Sequence, residues 1–170
     1  MGIFQASALS LTIGDSHELG FVNFGIPAGD SDVTAYVNQL IGMAVSTTAT
    51  ALGNSFIRSA NTFSPLDTAV LASRTSYGSA GSTVNINLGT GGYEYLLAKY
   101  DGPNYGTEVW YVGGLTGTVT IPGYGDPNNK YGISGTSLFT PGTPAPDGGT
   151  TAILLGAALT GLGLLRRKLA

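Results

Sequence analysis

The spacing of hydrophobic positions changes character along this chain. Val33, Val37, Leu40, Ile41 and Ala44 recur at helical intervals, behind a break at Pro27-Ala28-Gly29-Asp30-Ser31-Asp32. This predicts one amphipathic helix over Asp32–Met43, with Asp30, Ser31 and Asp32 at the positive end of its dipole. On both sides the apolar residues fall in short runs bounded by Gly, Asn, Asp and Pro, which predicts strands. Leu9–Gly14 and Glu18–Ile26 flank a turn at Asp15-Ser16-His17. Ala44–Ala51 and Asn54–Asn61 form a hairpin around Gly53-Asn54, and Ala69–Ser76 and Ser82–Leu88 follow. After the turn Gly89-Thr90-Gly91-Gly92 come Tyr93–Tyr100, a loop at Asp101–Gly106, then Thr107–Val112, Leu115–Ile121 and Ile133–Phe139. Many short strands at this spacing predict a mainly β fold, an antiparallel sandwich-like domain carrying one short amphipathic helix.

The pattern changes again at the end. Thr140–Pro146 is a Pro/Gly/Thr linker. Gly148–Leu165 carries no charge, and Arg166, Arg167 and Lys168 follow directly. As a helix the run would be about 27 Å long, against about 30 Å of bilayer hydrocarbon. The basic side chains can snorkel to cover that difference. Its leucines and isoleucine favour insertion by roughly 2–4 kcal/mol in sum, part of which Gly and Thr offset. A buried core helix would show a polar face, and this run has none. The expectation is a single, weak C-terminal transmembrane helix whose basic end stays cytoplasmic while the bulk of the chain lies across the membrane.

Composition narrows the class. The chain has 170 residues, 27 of them Gly, and only 10% are charged. This suits an exported β-rich domain, with enough chain before the tail for a core of its own. The net charge of −3 includes the basic tail, so the folded part is more acidic still, and no basic footprint for nucleic acid exists. With no cysteine, disulfides and thiolate chemistry are excluded. Ala6-Ser7-Ala8 reads like the end of a signal peptide, so residues 1–8 are expected to be the remnant of a longer one; the alternative is that Ala6–Ile13 begins the first strand.

The tripartite end, Ala145-Pro146-Asp147-Gly148-Gly149, an apolar helix and an Arg-rich terminus, resembles the PEP-CTERM type of bacterial sorting signal. Its nearest variety is the VPDSG-CTERM class, from which it departs at Ala145, where Val is usual, and at Gly148, where Ser is usual. Segments further in are similar to passenger domains bearing this tail: Ser16–Gly20, Tyr36–Asn38 with Ile41–Met43, Tyr95–Asn104, Val109–Val112 and Tyr131–Ser134. The resemblance implies an exosortase substrate. Its sorting motif would be Pro146, Asp147, Gly148 and Gly149, and its membrane stop Arg166, Arg167 and Lys168. It also implies transient inner-membrane anchoring and delivery to the cell surface or beyond, with exopolysaccharide a candidate partner. It implies no catalytic residues.

Candidate chemistry in the body is sparse. His17 is the single histidine, set in a polar turn between Asp15 and Glu18, where a solvated or structural role outweighs a triad. Glu94 and Glu108 have the residue types of a glycosidase pair, but the strand pattern assigns them to a solvated sheet face. Asp30 and Asp32 fail as an EF-hand, because Ala35 and Ile41 occupy its Gly and Glu positions; helix capping accounts for them. Gly89–Gly92 lacks the Lys-[Ser/Thr] ending of a phosphate loop. Eight of the nine tyrosines lie after residue 76, and Tyr93, Tyr95, Tyr105 and Tyr111 are candidate carbohydrate contacts; ordinary sheet composition is the plainer explanation, and Trp110 is expected in the core.

The sequence therefore predicts a β-rich passenger domain over 9–139, a linker with the sorting motif over 140–147, a transmembrane segment over 148–165 and a cytoplasmic tail over 166–170. The function it predicts is that of a non-enzymatic envelope or matrix protein without cofactor or metal. The alternative is a carbohydrate-binding module associated with exopolysaccharide.

Overall fold

The computed structural model describes residues 8–24, 29–78, 81–101, 105–125 and 131–142. Ten strands and one helix are seen there, in the order β1 (Leu9–Ser10), β2 (Glu18–Asn23), α1 (Asp30–Ile41), β3 (Thr48–Ala51), β4 (Asn54–Arg58), β5 (Ala69–Ser76), β6 (Thr83–Asn87), β7 (Tyr95–Tyr100), β8 (Gly106–Tyr111), β9 (Thr118–Pro122) and β10 (Ile133–Pro141). A seven-stranded antiparallel sheet runs β3-β4-β2-β8-β7-β10-β5, and a three-stranded sheet runs β1-β9-β6. The pairing of β1 with β9 is parallel, which corrects a wholly antiparallel expectation at that one ladder.

Alternation along β7 and β8 shows how the layers form. Leu96, Tyr100 and Trp110 point into a cluster shared with Val84, Ile86, Val119 and Ile121 of the smaller sheet. Tyr95, Leu97 and Val109 point the other way, into a second cluster with Val33, Val37 and Leu40 of α1. The large sheet is thus packed on both faces, by the small sheet on one and by the helix on the other. Two polar tips tie the sandwich together. The Trp110 Nε1 donates to the Thr12 carbonyl at 3.1 Å, and the Tyr100 hydroxyl donates to the Pro122 carbonyl at 3.0 Å. Trp110 is fully buried, as its place in the pattern predicts.

Several boundaries move for local reasons. The first strand stops after Ser10 because Asp15 Oδ2 accepts from Thr12 N at 2.6 Å and closes a turn through Gly14, whose φ is +82°. The helix starts two residues earlier than the spacing predicts. Gly29 precedes it in an extended conformation, and Asp32 Oδ2 accepts from the Gly29 amide at 2.8 Å. The helix ends at Ile41, with Gly42 N donating to the Asn38 carbonyl at 3.1 Å. The hairpin turn falls on Leu52-Gly53, whose φ values of 52° and 76° suit the right-handed twist of β3 and β4. Tyr93 precedes β7, so it shares no strand with Tyr95.

Among the described residues, no helix is long and apolar enough to cross a membrane. The predicted transmembrane segment over 148–165 lies outside the described residues, as do the sorting motif, Arg166, Arg167 and Lys168.

Candidate functional site: the sorting tail and an inter-sheet cleft

The four tyrosines singled out from the sequence do not form one face. Tyr95 is fully buried, its hydroxyl donating to the Asp67 carbonyl at 2.6 Å, so it offers no ring to a ligand. Tyr111 lies on the same, helix-covered side, stacked on Phe63 at 4.7 Å and edge-on to Tyr95 at 5.9 Å. Tyr105 packs against the opposite cluster, stacked on Tyr131 at 5.1 Å and edge-on to Tyr100 and Phe21. Of the four, Tyr93 borders the inter-sheet cleft.

Glu94 and Glu108 are corrected as well. Neither lies on a solvated face: Glu94 is 7% and Glu108 1% exposed. The solvated reading fails because both faces of the large sheet are covered. Burial above all, then the carboxylates of Glu18 and Asp15, pushes the Glu108 carboxyl well above its ordinary value. Burial likewise raises Glu94, partly opposed by a backbone hydrogen bond from Asp67, while the Asp67 charge raises it further. Glu108 Oε1 and Glu94 Oε2 have no hydrogen-bond partner. The two sit in different surroundings, Glu108 by Glu18 and Asp15 and Glu94 by Asp67, and do not converge as an acid/base pair.

His17 serves through its backbone. Its amide donates to Asp15 Oδ1 at 2.8 Å and its carbonyl accepts from the Tyr111 amide at 2.8 Å. Asp32 caps the helix, and Asp30 forms an ion pair with Arg74 of β5 that the sequence did not reveal. No group of three metal-ligating side chains assembles among the described residues.

The cleft at Tyr93 exists because the sheets differ in width. β10 and β5 extend past β6, the edge strand of the smaller sheet, and leave an open hollow of about 380 Å³. Its walls include Ser73, Thr75, Tyr77, Asn85, Asn87 and Thr136. The Tyr77 hydroxyl lies 3.3 Å from Thr136 Oγ1, and the Tyr77 amide donates to the Ser134 carbonyl at 2.9 Å. Tyr77, Asn85 and Asn87 were missed in the sequence. The alternation Thr83-Val84-Asn85-Ile86-Asn87 was the available signal, since it sets both asparagines opposite the buried Val84 and Ile86.

Among the described residues the fold is mainly β, two sheets that are antiparallel except at the β1–β9 ladder, with one helix. Residues 146–169 match the family model of the VPDSG-CTERM motif. The chain thus carries a C-terminal sorting signal of the PEP-CTERM-like kind, which marks an exported protein. No curated protein and no solved structure matches the chain.

Proposed function

We propose that this is a non-enzymatic envelope or matrix protein, parked in the inner membrane by residues 148–165 and released to the cell surface when an exosortase-type enzyme cuts near Pro146-Asp147-Gly148. The observation that carries this reading is the motif match over 146–169. The sequence layout supports it: an uncharged run too short for a robust anchor, a basic stop and a preceding Pro/Gly/Thr linker suit a temporary membrane hold. A non-catalytic role is favoured by the separate surroundings of Glu94 and Glu108 and by the structural use of His17. The alternative of a carbohydrate module built on Tyr93, Tyr95, Tyr105 and Tyr111 is disfavoured, since those rings lie on opposite faces and pack against other side chains.

The test is localisation in the native host. The full chain should be recovered with the cell surface or matrix, and a chain lacking residues 146–170 should instead be lost freely to the medium. Identical distribution of the two would remove the tail from any sorting role.

A further inference from the structure

β5 is the outermost strand of the large sheet, eight residues long, and among the described residues its one neighbour is β10. Its two halves differ. At the start Asn38 of α1 closes the open side, bonding both the amide and the carbonyl of Ala69. The ladder with β10 then passes over Ala72, since Leu71 lies opposite Phe139 and Ser73 opposite Leu138. Such a bulge bends the strand and interrupts regular pairing. Beyond it the register is unbroken from Ser73 to Ser76, and the Tyr77 amide continues it by donating to the Ser134 carbonyl at 2.9 Å. Residues 73–76 are all exposed.

Alternation fixes which main-chain groups look outward. Tyr77 turns its amide to β10, so Thr75 and Ser73 do the same, while Arg74 and Ser76 turn theirs to the outer side. An exposed edge is a template for another strand unless proline, unanswered charge or a bulge blocks it. Residues 73–77 hold neither proline nor lysine, and the charge of Arg74 is answered by Asp30. This stretch is therefore regular, neutral and centred on Thr75.

Its symmetry selects the occupant. Every ladder of the large sheet is antiparallel, and β5 against β5 across a two-fold axis continues that pattern. The sheet's other edge, β3, runs in the same direction as β5, so a copy added by translation would have to pair parallel. An axis at Thr75 sets Arg74 opposite Ser76 of the second copy, whereas an axis at Arg74 would oppose two guanidinium groups. It also sets Thr75 against Thr75, a favourable cross-strand pair.

We infer that two copies of this chain pair antiparallel along residues 73–77 of β5, about a two-fold axis at Thr75. This goes beyond the sorting reading and does not depend on it, because the pairing uses the folded domain and not the tail. A pairing this short covers less than the roughly 1,200 Å² of a stable interface, so the association is weak and reversible.

The experiment is sedimentation equilibrium of the full chain in density-matched detergent. The mass should rise from one copy toward two between about 0.01 and 1 mM. Ser76→Pro removes an outward N–H and leaves the bonds to β10 in place, so it should abolish that rise with an unchanged circular dichroism spectrum. Cysteine is absent from the sequence, so an introduced thiol is unique. Across the axis the two Thr75 Cα atoms would lie about 4.5 Å apart, within disulfide reach. Thr75→Cys should therefore cross-link into a dimer under copper phenanthroline. Val70→Cys, at a position 50% exposed, should not, since it would lie roughly 30 Å from its counterpart. A chain that stays monomeric to about 1 mM, as an edge reserved for a foreign strand would, overturns the inference. So does association that a folded Ser76→Pro leaves intact, as the apolar tail would give, or cross-linking as efficient through Val70→Cys as through Thr75→Cys. If Ser76→Pro does not fold, the two thiol variants decide alone.

Discussion

Glu108 is the most deeply buried acidic side chain among the described residues. It is buried on β8 with an unpartnered oxygen and the carboxylates of Glu18 and Asp15 near it, so its carboxyl is held well above its ordinary value. Its raised folded value sets the sign of the pH dependence. The stability this gives is fully present below the ordinary value of 4.5 and is lost as the pH climbs through the raised one. Thermal melts across pH 4–8 should show Tm falling toward the alkaline end. Glu108→Gln should flatten that slope and raise Tm at pH 8 by roughly 2–8 °C, about 1–2 kcal/mol. Gly106, two residues earlier, has a different constraint. A Cβ there would fall 1.8 Å from the Val22 carbonyl oxygen, so Gly106→Ala should cost about 3 kcal/mol, read as a lowered denaturation midpoint. Neither property was legible in the sequence. Period-two alternation says that Glu108 and Trp110 share a side, but it cannot say which side meets water when helix and second sheet cover both.

At the scale of elements, the helical spacing of Val33, Val37 and Leu40 was legible because it reports one buried stripe, and that stripe is what α1 lays on the large sheet. Its attachment was not legible, because it rests on contacts between residues far apart in sequence. Asn38, half-buried beside that stripe, accepts from Ala69 N at 2.8 Å and donates to the Ala69 carbonyl at 3.2 Å, fixing α1 to the start of β5. Asn38→Ala should therefore destabilise by about 1–2 kcal/mol in chemical denaturation. The β3–β4 hairpin gives a change of the opposite sign. Leu52 is 60% exposed and held at a φ of 52°, a region that disfavours branched apolar side chains. Leu52→Asn should stabilise by about 1 kcal/mol in the same assay. The hairpin itself was evident from Gly53-Asn54, but its turn lies one residue earlier, since Asn54 already pairs with Ala51.

For the whole molecule, the β-rich class, the amphipathic helix and the sandwich layers followed from short apolar runs and turn residues, whereas the unequal sheet widths that open the cleft beside β6 depend on long-range pairing. β5 joins β10 more than fifty residues later, as Ser76 opposite Gly135 shows, and β1 joins β9. The ten strands and the helix seen among the described residues lie between Leu9 and Pro141, and the Gly142 amide still bonds back to Thr68. A chain ending at Gly142 should accordingly keep the far-ultraviolet circular dichroism and Tm of the full protein. On the proposed reading the sorting tail, matched over residues 146–169, is a separable instruction appended to this domain. The most direct measurement of that account is the intact mass of the protein recovered from the surface or matrix of its native host. A mature C-terminus near Asp147 is the predicted result; a chain still ending at Ala170 in the finished envelope would contradict it.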